Sequence, residues 1–67
     1  MKISYNPLWK LLIDKKMKRS ELQQLAGIAS STMTKLRNDE NVTTETLLKI
    51  CMILQCQISD VIECLED

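Results

Sequence analysis

The sequence predicts an all-α fold, a single domain over residues 1–67 built from five short helices. Apolar residues recur at intervals of three and four, the spacing of one helical face, while strict two-residue alternation is missing. One Gly and one Pro leave little material for hairpin turns. With 45% hydrophobic residues and no Phe, we expect one modest core of Leu, Ile and Met side chains.

The first predicted helix begins with Asn6 as its N-cap and Pro7 as its first helical residue. The apolar stripe behind this start consists of Leu8, Trp9, Leu12 and Ile13. We expect the helix to end near Lys16, because basic side chains are favourable at the negative end of a helix dipole.

Residues 18–37 predict two short helices joined by a tight turn. The second helix begins between Lys18 and Ser20, and Ser20 with Gln23 matches a capping box. Gly27 suits a left-handed C-terminal turn, which a side chain with a Cβ would resist. The third helix is expected at about residues 30–37. The inward-facing residues of the two helices are Leu22, Leu25, Ala26, Ile28, Met33 and Leu36.

The remaining chain predicts two further helices after a polar loop at residues 38–41. Thr43 or Thr44 caps the fourth helix. Its apolar face consists of Leu47, Leu48, Ile50, Cys51 and Leu54. Ser59 and Asp60 can start a short fifth helix, which contains Val61, Ile62 and Leu65.

The net charge of zero hides an asymmetry along the chain. Residues 1–38 carry a net charge of +6, whereas residues 39–67 carry −6. Such a division can give one face for an anionic partner and another that repels it, although charge alone is equally consistent with a solvated surface. Its coincidence with the two-helix motif around Gly27 favours an anionic partner.

The motif is a candidate helix-turn-helix, whose second helix would enter the major groove of DNA. Candidate base contacts are Ser30, Ser31, Thr34 and Lys35, which face outward. Their hydroxyls can donate to or accept from several base edges, and lysine can reach guanine or a phosphate. Alternatively, Ser30 and Ser31 only cap the third helix.

A second group of residues could contact the DNA backbone. Two of them lie at the start of the second helix, where backbone donors and the dipole attract an anion, and the others flank the loop after the third helix. The group consists of Lys18, Arg19, Arg37, Asn38, Asn41 and Thr43. Any single member could be only a solvated surface residue, so the interpretation depends on the whole group.

The residue types in the sequence give little support for a metal site or for an enzyme. Three cysteines without histidine or a Cys-x-x-Cys pair do not supply a tetrahedral zinc site, and we expect Cys51 to pack as a small apolar residue. An enzyme is not expected, because there are no paired buried carboxylates and no phosphate-binding glycine loop. No cofactor or small-molecule ligand is expected. No signal peptide or apolar run of membrane-spanning length is present, so a soluble cytoplasmic protein is predicted.

Two segments together resemble the Cro/phage-repressor (Xre-type) helix-turn-helix family. One is Glu21-Leu22-x-x-x-Ala26-Gly27-Ile28-x-x-Ser31-Thr32-Met33-x-Lys35-Leu36, and the other extends from Thr43 to Glu63. The resemblance implies a five-helix, lambda-repressor-like domain that binds double-stranded DNA and regulates transcription as a repressor, as a homodimer. Lys18 stands where relatives have a small polar cap, and Gln23 where many have alanine, so the start and spacing of the second helix can differ.

A protein-binding module is the competing function, as in an antitoxin-like or adaptor protein that uses the same fold. An exposed patch formed by Val61, Cys64 and Leu65 is expected to suit such a partner or, equally, to form a homodimer seam.

Overall fold

The structure, a computed structural model, describes residues 1–66 as four α-helices and a two-stranded sheet. The elements in chain order are β1 (Lys2–Ser4), α1 (Asn6–Asp14), α2 (Arg19–Ala26), α3 (Ser30–Arg37), α4 (Thr44–Leu54), a 3₁₀ turn (Ile58–Asp60) and β2 (Glu63–Leu65). Asp67, one of the C-terminal acids counted above, lies outside the described residues. Within residues 1–66, no helix is long and apolar enough to cross a bilayer.

The sheet corrects the all-α prediction. Strands β1 and β2 pair antiparallel, with Ile3 opposite Cys64 and Ser4 opposite Glu63. The predicted fifth helix is not confirmed, because the 3₁₀ turn and β2 occupy its place. A run of three residues at the end of the chain is too short to reveal its period, and the backbone of β2 finds its hydrogen-bonding partners in β1 rather than within a helix.

One hydrophobic core joins all four helices and the turn before β2. Its buried apolar residues are Tyr5, Leu8, Leu12, Leu22, Ile28, Met33, Leu36, Leu47, Ile50, Cys51, Leu54 and Val61. The inward positions predicted for the third helix are therefore confirmed. Three residues predicted to be buried are instead exposed, namely Ile13, Leu25 and Leu48. Each lies at the edge of an apolar stripe, where helical spacing alone does not show how far the neighbouring helix reaches.

The helix ends show where local signals succeed and where they fail. Tyr5, not Asn6, is the N-cap of α1, and the Asn6 amide donates to the Ser4 hydroxyl. The N-cap of α2 is Lys18, whose backbone N–H donates to Glu21 Oε1 at 3.0 Å, so the capping box predicted at Ser20 and Gln23 is wrong. Thr43 caps α4, accepting a hydrogen bond from the Thr46 amide.

Candidate nucleic-acid interface

The turn between α2 and α3 is built around Gly27. Its φ of 65° and ψ of 39° place it in the left-handed region, and its N–H donates to the Gln24 carbonyl. The Ile28 amide then donates to the Gln23 carbonyl at 3.0 Å, which closes the turn. A Cβ at this glycine would meet no atom within 4 Å. The requirement for glycine here is therefore conformational and not steric.

Helix α3 presents two distinct faces. Met33 and Leu36 are buried, and together with Ile28 they fix the helix against the core. All four candidate base contacts, Ser30, Ser31, Thr34 and Lys35, are exposed. Ala29 is the N-cap and makes no side-chain cap hydrogen bond, so the alternative in which a serine only caps the helix is wrong.

The hydroxyls on this face differ in their hydrogen bonding. Ser30 Oγ accepts from Gln23 Nε2 at 3.2 Å, which ties α3 to α2. The Thr34 hydroxyl donates to the Ser30 carbonyl at 3.1 Å and accepts from Arg37 Nη2 at 3.1 Å. In the described part of the chain, the side chains of Ser31 and Lys35 have no such partner. These two are therefore the most available for an external ligand.

A shallow depression of about 310 Å³ lies between α2 and α3. Two cations, Arg19 and Arg37, line it together with Ser20, Gln23 and Ser30. Arg19 is the first residue of α2, and the N–H of the preceding Lys18 already donates to the Glu21 carboxylate, so the two guanidinium groups and not the helix N-terminus make this depression suitable for a phosphate.

The guanidinium of Arg19 also rests on an aromatic ring. Its Cζ atom lies 4.1 Å from the centroid of the Trp9 ring, on α1. Sequence reasoning missed this contact, because it assigned Trp9 entirely to the apolar stripe of the first helix. No sequence signal identifies it, since the two residues are brought together by the turn between α1 and α2.

The loop after α3 carries the other candidate backbone contacts. Asn38 follows the last residue of α3, and Asn41 borders a second depression, of about 300 Å³, with Thr32, Lys35 and Thr43. The Thr43 hydroxyl is engaged in capping α4, which reduces its availability for DNA. Exposed Asn38 and Asn41 remain suitable phosphate donors.

Tyr5, which is distant in sequence, holds this loop in place through two hydrogen bonds. Its backbone N–H donates to Asp39 Oδ1 at 3.0 Å, and its hydroxyl donates to the Glu40 carbonyl at 2.9 Å. Asp39 itself has a φ of 56°, a left-handed conformation that costs free energy outside glycine. Burial raises the pKa of the Tyr5 hydroxyl, a backbone hydrogen bond opposes this effect, and the nearby Asp39 charge adds to it.

The expected exposed patch near the C-terminus requires a correction. Val61 is completely buried, so it cannot contribute an exposed side chain to a seam. It follows the 3₁₀ turn, which points it into the core. Cys64 is exposed and Leu65 is half-buried, both on β2. The possible seam is thereby reduced to these two residues.

The cysteines show no arrangement for metal binding within residues 1–66. All three are free thiols, buried at Cys51, half-buried at Cys56 and exposed at Cys64. Burial raises the pKa of the Cys56 thiol to about 11, and the adjacent Cys51 adds to the effect. Cys56 is therefore protonated at neutral pH and is a poor nucleophile.

The chain matches the family model of the Cro/C1-type HTH DNA-binding domain over residues 7–67, so it belongs to this family. The fold and the exposed face of α3 thus define a DNA-binding domain of the kind found in transcriptional regulators. The crystal structure of the transcriptional regulator VanUg, Form II, is similar to it with a TM-score of 0.95 and 48% sequence identity. That match covers 98% of this chain and 88% of the VanUg chain. A comparison with curated proteins finds no match.

Proposed function

We propose that this protein binds specific sequences of double-stranded DNA by placing α3 in the major groove, and that it represses transcription as a homodimer in the cytoplasm. The observation that carries this proposal is the outward face of α3. Among residues 1–66, the side chains of Ser31 and Lys35 on that face have no hydrogen-bond or ion-pair partner, while Met33 and Leu36 on the other face hold the helix in place. A rigid helix with unsatisfied donors suits the base edges of the major groove.

Phosphate contacts on both sides of α3 would set its orientation in the groove. Arg19 and Arg37 line the depression between α2 and α3, and Asn38 and Asn41 lie in the loop after α3. Lys18, the N-cap of α2, adds a further charge near the first pair. Contacts of this kind supply affinity and register, whereas the groove residues supply specificity.

The short length of α3 supports the proposed homodimer. One protomer has one α3 of eight residues, which can read only a half-site. Two protomers related by a two-fold axis would read two half-sites about 34 Å apart, one turn of the double helix. Exposed Cys64 and half-buried Leu65 on β2 are candidates for the seam. Repression would follow if an operator overlaps the site that the polymerase needs.

Selection of bound sequences from a pool of random duplexes tests the proposal. An enriched, two-fold symmetric sequence supports sequence-specific binding by a dimer. Lys35→Ala should weaken binding to the selected duplex and relax the preferred base, because it removes a donor in the groove. Lys49→Ala is the matched control, since Lys49 lies on α4 and pairs with Glu45 at 3.9 Å. No binding at low salt by the wild-type protein, with Lys35→Ala behaving identically, contradicts the proposal.

An adaptor or antitoxin-like protein-binding role is the second candidate. It is favoured by Leu48 and Met52, which are exposed one turn apart on α4. Exposed apolar side chains at this spacing suit the helix of a partner protein. Purified protein that fails to enrich any duplex sequence but co-purifies with one stoichiometric partner protein would support this role over DNA binding.

A further inference from the structure

Trp9 and Arg19 form a contact that packing of the hydrophobic core does not require. Trp9 is the only tryptophan of the chain, and it is half-buried on α1. Its ring packs partly against the core, and the guanidinium of exposed Arg19 lies over it at 4.1 Å. A long side chain at the start of a helix normally samples many rotamers, so this stacking selects one position for the charge.

The contact fixes the arginine without neutralising it. In the described part of the chain, no carboxylate lies within ion-pair distance of Arg19. A carboxylate would hold the guanidinium equally well but would cancel its charge and occupy its donors. An aromatic face contacts only the flat side of the group, so the N–H donors in its plane remain free.

The arginine that is held in this way lines the depression between α2 and α3. Arg37 lines the same depression, so the two cations face one concave surface. Arg37 is also held in position, by its hydrogen bond to the Thr34 hydroxyl. Both cations that line the depression beside α3 are therefore positioned before any ligand arrives.

We propose that Trp9 is a positioning residue for DNA binding, which holds the Arg19 guanidinium where it receives a backbone phosphate beside α3. This inference rests on the proposed DNA-binding function. Trp9 does not itself contact DNA. Its effect comes from ordering Arg19 in the free protein, so that the conformational entropy of that side chain is not lost on binding.

A double-mutant cycle tests this role, with fluorescence anisotropy of a labelled random-sequence duplex at low salt as the readout. Trp9→Leu should weaken binding about two- to fivefold, the size of an exposed cation–π contact. In the Arg19→Ala background the same substitution should have no effect on affinity. Arg19→Ala should also lower the salt slope by about one, whereas Trp9→Leu, which keeps the charge, should leave the slope unchanged.

Trp9→Phe retains an aromatic face and provides the conservative variant. It should recover most of the affinity lost in Trp9→Leu, and the cycle can be run with Trp9→Met, which also lacks an aromatic face, if Trp9→Leu lowers the helical content measured by circular dichroism. Equal weakening by the non-aromatic substitution with and without Arg19, or no weakening by it in the wild-type background, overturns the positioning role alone. Failure of the wild-type protein to bind any duplex overturns the DNA-binding proposal, and the positioning role with it.

Discussion

The hydroxyl of Tyr5 donates a hydrogen bond to the backbone carbonyl of Glu40 at 2.9 Å, joining residues that are 35 positions apart. Tyr5 is almost completely buried, and its own amide donates to Asp39 beside that carbonyl. The segment between β1 and α1 therefore anchors the loop that follows α3. The loop that carries Asn38 and Asn41 depends for its shape on a residue near the start of the chain.

Tyr5→Phe should lower the free energy of unfolding by about 1–2 kcal/mol, because it leaves the Glu40 carbonyl without its donor while keeping the ring in the core. Urea denaturation followed by circular dichroism measures this loss. The unfolding m-value should not change, since the buried area is nearly the same. A variant as stable as the wild type would show that the hydrogen bond contributes nothing.

We expect the stabilising effect of Tyr5 to depend on pH in the alkaline range. Its pKa is raised above the ordinary value of 10.0 in the folded protein, so the unfolded chain releases this proton first as the pH rises. The contribution of Tyr5 to stability is complete below pH 10.0 and is lost as the pH rises through the folded pKa. Urea titrations from about pH 8 to about pH 11 should therefore show the advantage of the wild type over Tyr5→Phe shrinking. A constant difference contradicts this.

Substitutions of Gly27 should separate conformational from steric cost. Gly27→Ala should lower the free energy of unfolding by about 1–2 kcal/mol, because alanine resists a φ of 65°. Gly27→Asn should cost less, since asparagine tolerates the left-handed region and the space around the Cβ is open. Thermal and urea denaturation of both variants measure the difference. Equal losses would indicate a steric cause.

Thr43 and Thr44 form a matched pair for testing the cap of α4. Thr43→Ala should destabilise the protein by about 1 kcal/mol, because the Thr46 amide loses its acceptor. Thr44→Ala removes the same atoms from the first helical residue, which is not the N-cap, and should change stability little. Denaturation midpoints compared at constant m-value provide the measurement. The reverse order of effects would assign the cap to Thr44.

Arg37→Ala should weaken DNA binding about equally for all sequences, since a phosphate contact carries no base information. The slope of log affinity against log salt should fall by about one. Lys49→Ala removes the same charge from α4 and serves as the control. Salt titrations with a selected and a random duplex give both quantities. A loss confined to the selected duplex would instead assign Arg37 to base reading.

Local signals predicted the elements that depend on neighbouring residues. Gly27 marked the turn, and the spacing of Met33 and Leu36 gave the buried face of α3. The strand at residues 63–65 could not be predicted in this way, because its partner is at the other end of the chain. Leu25 and Leu48 were misplaced for a related reason, since the spacing of apolar residues does not show how wide a face the neighbours cover.

In the candidate site, too, local features could be predicted from the sequence and contacts between distant residues could not. Residue types and the outward positions of α3 indicated which side chains could meet DNA. The contacts that position them, from Gln23 to Ser30 and from Trp9 to Arg19, depend on how helices meet in space. Neither contact has a local sequence signature, so the sequence alone could not show that these side chains are held in position.

The pairing of β1 with β2 has a consequence for synthesis on the ribosome. Lys2 lies opposite Leu65 in the sheet, so nearly the whole chain separates two residues that must meet. The helix-turn-helix can begin to form while translation continues, but the sheet closes only after Leu65 has left the exit tunnel. Until then, the backbone edge of β1 that pairs with β2 stays without its partner, and a pause in translation before Leu65 emerges would prolong this exposure.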